Sequence, residues 1–166
     1  MILRVCKTVL VFAVALYSTF IVFNNLVDYG SNYDMVRHVM TMDTIPANSG
    51  TTWRAIFSLE WHVAFYWVII VWETVSTAVC WWGGVRLAKA WKQDAREFRG
   101  AKNIAIAGLM LNLLIWLVGF LTIGGEWFLM WQSKIWNGQE AAFRMFTVVG
   151  VVLLLLTQPE NGEAST

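Results

Sequence analysis

The sequence predicts an all-helical integral membrane four-helix bundle, and three observations carry that prediction. Hydrophobic residues make up 58% of the 166 and charged residues 14%, against roughly 45–50% and 25% in soluble domains. Four apolar runs approach the about 20 residues that a helix needs to cross a hydrocarbon core of ~30 Å. The cations gather on alternate connections instead of spreading along the chain. This length suits one domain, and a net charge of +1 gives a nucleic-acid partner no electrostatic support.

The first span covers about 5–23. Arg4 and Lys7 precede the apolar run, and Ala13-Val14-Ala15 resembles a signal-peptide cleavage site. The run continues through Leu16, Phe20, Ile21 and Phe23, so a retained first helix is expected. In the long connection that follows, residues 34–42 read as a short amphipathic helix. Asp34 would cap it, and Met35, Val36, Val39, Met40 and Met42 are apolar. Asp43-Thr44-Ile45-Pro46 would stop it and Asn48-Ser49-Gly50 would turn the chain. Such a helix would lie at the interface or fold over the bundle mouth. The remaining spans cover about 62–85, 104–123 and 142–157, the last with Arg144 snorkelling at its start. Residues 158–166 form a polar tail without an apolar anchor, the composition of a disordered segment.

Charge sets the expected orientation. Arg86, Lys89, Lys92, Arg96, Arg99 and Lys102 crowd the connection between the second and third spans, against Asp94 and Glu97. Arg4 and Lys7 fall on the same side, while Arg37, Arg54, Lys134 and Arg144 lie opposite. The positive-inside rule then puts both termini in the cytoplasm of an inner-membrane protein, with the basic connection facing anionic lipid. Trp53, Trp61, Trp127, Trp131 and Trp136 would form the outer aromatic belt, and Trp81, Trp82 and Trp91 the inner one. Cys6 and Cys80 both fall inside predicted spans and read as small buried hydrophobes. They form neither a disulfide framework nor a CxxC pair.

Glu73 stands out in an otherwise apolar stretch, 63–85. Ionising a carboxyl at the bilayer centre costs about 2.5–3.5 kcal/mol, so such groups face protein or a cavity. At 3.6 residues per turn His62, Tyr66, Glu73, Thr77, Cys80 and Gly84 share one stripe, with Ser76 beside it. Ser76, Cys80 and Gly84 also form a small-xxx-small series suited to close helix approach. On the third span Ala105, Gly108, Asn112, Trp116, Gly119 and Glu126 form a comparable stripe. Antiparallel packing would bring Glu73 and Asn112 to similar depth, so a contact between them is expected. In the favoured reading Glu73 is an uncharged acid, bonded to Asn112, Thr77 or Tyr17, that locks two helices. In the alternative it is a proton or cation site.

Both histidines, His38 and His62, fall on the outer side. With Met35, Met42 and Glu60 they are the candidate ligands for copper(I) or haem. A methionine stripe on an interfacial helix is more often its buried face, so no cofactor is favoured. Glu60, Arg54, Glu126 and Arg144 would make interfacial ion pairs, or join Gln132, Asn137 and Gln139 as the rim of an outer polar pocket. The sequence has no Gly-rich phosphate loop, HExxH, GxSxG or catalytic carboxylate pair.

Several blocks carry a resemblance. They are Val36-Arg37-His38-Val39-Met40-Thr41-Met42-Asp43-Thr44, Trp53-Arg54-Ala55-Ile56, Gly124-Gly125-Glu126-Trp127-Phe128-Leu129-Met130-Trp131-Gln132-Ser133, Trp136-Asn137-Gly138-Gln139 and Phe143-Arg144. On these the chain resembles a bacterial family of predicted small integral membrane proteins of unknown function. The resemblance covers nearly the whole chain and implies four spans without an activity. The expectation is a non-enzymatic component, an accessory subunit or assembly factor with a membrane-protein partner or a second copy of itself. A proton-linked transporter or ligand-binding protein using Glu73 is the alternative, and a haem- or metal-linked redox role comes third.

Overall fold

The structure, a computed structural model, describes residues 1–46 and 50–159, and every regular element among them is a helix. Helix α1 (Ile2–Val27) ends at Asp28, and α2 (Tyr29–Thr41) begins at the next residue. Helices α3 (Leu59–Ala90), α4 (Ala95–Trp127) and α5 (Gln139–Thr157) follow, and with α1 they are long and apolar enough to cross a membrane. Each overruns its apolar run, because backbone hydrogen bonding continues into the interface where polar side chains are tolerated. The expected Asn48-Ser49-Gly50 turn falls largely, and the polar tail from 160 onward wholly, outside the described residues.

Helix α2 begins five residues before the expected Asp34. The break falls at Asp28, whose carboxylate accepts from Ser31 Oγ at 2.9 Å and whose carbonyl accepts from Asn32 Nδ2 at 3.0 Å. Asp34 is therefore inside the helix, pairing with Arg37 at 3.2 Å, and caps nothing. The helix stops at Met42, which takes a left-handed conformation with φ 53°.

Helix α4 starts on a side-chain cap, with Asp94 Oδ1 accepting from Glu97 N at 2.8 Å. Its second part, Ile115–Trp127, is a π-helix of 13 residues. Such i→i−5 bonding is usually confined to single turns. More residues then complete each turn, so the stripe expected on this span holds only as far as Trp116. Beyond it Gly124 and Gly125 are buried, whereas Glu126 is exposed.

The N-terminus, the α3–α4 turn and the end of α5 meet at one end of the bundle, here the basic end. Arg4 donates to the Gln93 carbonyl at 2.7 Å, and Lys7 and Lys102 both donate to the Gln158 carbonyl, at 2.7 and 3.0 Å. Between the ends, α3 packs against both α1 and α4, and α5 closes against α4. Cys80 is buried, but Cys6 is exposed, contrary to expectation, because it lies on the outward face of α1. The small series on α3 serves two neighbours: Cys80 meets Gly108 of α4, while Gly84 faces Phe12 of α1. At the opposite cap end, Met40, Met42 and Phe128 bury one another with Val36, Val39, Ile45, Ile56 and Leu129 around them. Ile56 N donates to the Met40 carbonyl at 2.9 Å and fastens the returning chain to α2.

Candidate functional site

On α3, His62, Tyr66, Glu73, Ser76, Thr77, Cys80 and Gly84 are all buried. The carboxyl of Glu73 does not reach Asn112. Asn25 Nδ2 donates to Glu73 Oε2 at 2.5 Å, and Tyr66 Oη donates to the Asn25 carbonyl at 2.9 Å. Asn112 belongs to a second cluster, donating to Ser18 Oγ at 2.6 Å and accepting from Trp116 Nε1 at 3.2 Å. Tyr17 is exposed, and the buried Thr77 hydroxyl has no hydrogen-bond partner. None of the three expected partners therefore holds Glu73; α1 supplies the donor for Glu73 and the acceptor for Asn112. The signal in the sequence was the seven-residue spacing of Ser18 and Asn25, which puts both on the α1 face that buries Val11 and Val14.

Depth separates the two clusters. At 1.5 Å per residue, Ser18 lies about 16 Å and Asn25 about 27 Å along α1 from Lys7. Along α3, Trp91, whose carbonyl accepts from Arg4, is also about 27 Å from Glu73. The Glu73–Asn25 pair therefore lies about 10 Å nearer the cap end than Ser18 and Asn112. Tyr66 covers it there, with its ring 4.8 Å from Tyr29 and 6.1 Å from Tyr33 at the base of α2. Asn25 is a neutral donor, so no cation is bonded to the carboxyl.

At the cap, Arg37 Nη2 donates to His38 Nε2 at 3.0 Å, which assigns the ring proton to Nδ1, donating to Asp43 at 2.8 Å. The His38 ring stacks on Trp136 at 4.7 Å. His62 Nε2 donates to the Ile56 carbonyl at 2.7 Å. Met42 is buried in the cap cluster and Met35 packs at Gly138. The candidate soft ligands thus turn to separate neighbours, and among the described residues no group of three or more His, Cys, Asp and Glu could hold a metal.

Glu60, Glu126 and Arg144 are exposed and Arg54 is half-buried, and no ion pair joins them. Asn137 Oδ1 accepts from Gln139 N at 3.1 Å at the start of α5, Gln139 packs at Gly125, and Gln132 is half-buried. The expected ion pairs are replaced by aromatic contacts: Arg54 lies over Trp53 and Trp127, at 5.5 and 5.0 Å. Elsewhere, on the flank of α3, Ala64, Trp67, Val68, Val71, Trp72 and Val75 line an open apolar groove of about 450 Å³ with Leu111. Trp72 Nε1 reaches across it to the Leu111 carbonyl at 2.9 Å.

Comparison with curated proteins and with solved structures gives no match. The family model described as "Predicted small integral membrane protein (DUF2165)" matches residues 3–159, a stretch that includes all four membrane-length helices. The chain belongs to this family of small integral membrane proteins.

Proposed function

We propose that the protein is a non-enzymatic accessory subunit or assembly factor of a complex in the bacterial inner membrane, with its basic end in the cytoplasm. One observation carries the reading: three polar pairs of the spanning region bond across helices. Glu73 takes Asn25, Asn112 takes Ser18, and Trp81 Nε1 takes Thr19 Oγ1 at 2.9 Å. Such bonds fix helix register and depth and leave a bundle suited to being a fixed part of a larger assembly. The orientation rests on the cations at the basic end. Purification in mild detergent should recover a membrane-protein partner, or further copies of this chain, in fixed stoichiometry. A solitary particle sinks the proposal. A fluorescent protein fused at the C-terminus should be fluorescent in cells and a fused alkaline phosphatase inactive; the reverse pattern overturns the orientation.

A proton-linked transporter using Glu73 is the second reading. The unpartnered Thr77 hydroxyl one helical turn away favours it. Proton-dependent uptake into vesicles that survives Glu73→Gln rules out that mechanism.

A further inference from the structure

We propose that Arg54 holds the phosphate of a lipid headgroup in the leaflet at the cap end. The residue sits in the 3-10 turn Thr52–Arg54, beside the end of the membrane-crossing α4 at Trp127. Trp53 and Trp127 meet edge to face at 6.0 Å, and the guanidinium lies over both rings. Both indoles are substantially exposed, and exposed tryptophans at the ends of membrane helices settle at headgroup level. The pair therefore fixes the cation at the depth of the lipid phosphates.

Among the described residues no carboxylate pairs with this charge. Glu126, next to Trp127, and Glu60 at the start of α3 are exposed and make no ion pair with Arg54. Nε is enclosed and has no hydrogen-bond partner, which leaves the Nη edge to meet a ligand. That edge makes one long bond, from Nη1 to the Trp127 carbonyl at 3.3 Å. A guanidinium has five N–H donors, so most remain available. A planar fork anchored over two rings matches the paired oxygens of a phosphate.

The test uses detergent-purified full-length protein, with native mass spectrometry and titration of two probes: dihexanoyl phosphatidylglycerol and inorganic phosphate. The wild type should bind the lipid, and Arg54→Gln should weaken binding about tenfold, the loss of one charge-assisted contact. Arg54→Lys should fall between, because an ammonium keeps the charge and loses the fork; it carries the test if Arg54→Gln does not fold. Trp53→Leu should also weaken binding by releasing one side of the clamp. Equal lipid affinity in wild type and the Arg54 variants overturns the proposal. Inorganic phosphate bound as tightly as the lipid overturns it too, since the site would then read a free anion.

Discussion

Gly108 is one of the points where α4 approaches α3 closely on its small face, and replacing it tests whether that approach holds the bundle together. A Cβ built on Gly108 falls 2.7 Å from Cys80 N and 2.9 Å from both its Cα and Sγ. Ordinary van der Waals contact begins at 3.4 Å. The two helices must therefore part by roughly 0.7 Å, because two of the three atoms are backbone and cannot rotate away. A radial gap of about 0.5–1 Å already forfeits a quarter to a half of a contact's dispersion energy. Overpacking of this kind costs about 1–3 kcal/mol, so Gly108→Ala should lower stability by that much. Gly100, on the same helix, has nothing within 4 Å of its added Cβ. Gly100→Ala should instead stabilise by roughly 0.5–1 kcal/mol, through the conformational freedom glycine loses on folding. Thermal unfolding in one detergent, followed by near-UV circular dichroism, compares the two directly. Gly108→Ala as stable as wild type, or both variants moving the same way, would refute the close-approach argument.

Three further outcomes follow from the polar clusters and the cap. Asn25→Leu removes the donor to Glu73 and should cost up to about 1.7 kcal/mol, the upper end for hydrogen bonds in membranes. Glu73→Gln keeps an acceptor there and should cost no more than about 0.6 kcal/mol, so the same unfolding assay should rank Asn25→Leu as the more damaging; the opposite ranking contradicts the assigned pair. Asn112→Leu strands Ser18 and Trp116, and should destabilise although it adds apolar surface inside the bundle; a stabilised variant would mean that the cluster is dispensable. His38→Phe keeps a ring against Trp136 but loses both bonds to Asp43 and Arg37, so limited proteolysis should cut the α2–α3 connection faster while the spans resist as before. An unchanged cleavage rate means that stacking alone holds the cap.

How much of this was legible depended on which physical signal each feature leaves in the sequence. Hydropathy is local, so the four spans could be read directly. A 3.6-residue period is also local, so the stripe from His62 to Gly84 could be drawn on α3 and the one from Ala105 to Trp116 on α4. Partners are not local. Asn25 looked like the start of a loop, and nothing in its neighbourhood said that Glu73, 48 residues away, would meet it. Asp28 did not announce a helix break, so α2 was expected to begin at Asp34. The change to i→i−5 bonding at Ile115 likewise left no local sign, and it turned Glu126 out of the stripe on which straight α-helical geometry had put it.

The sequence by itself determined the class of molecule and the faces that must be buried, because excluding apolar side chains from water and satisfying backbone bonds in lipid allow few alternatives. The tertiary structure decided depth and partnership. A carboxyl expected to meet Asn112 of α4 met Asn25 of α1 once α1 and α3 were registered against each other. An arginine expected to pair with a carboxylate instead lies over two tryptophans. Both outcomes turn on which helix stands beside which and how far each is slid along the other, and helix packing fixes those quantities where sequence periodicity does not.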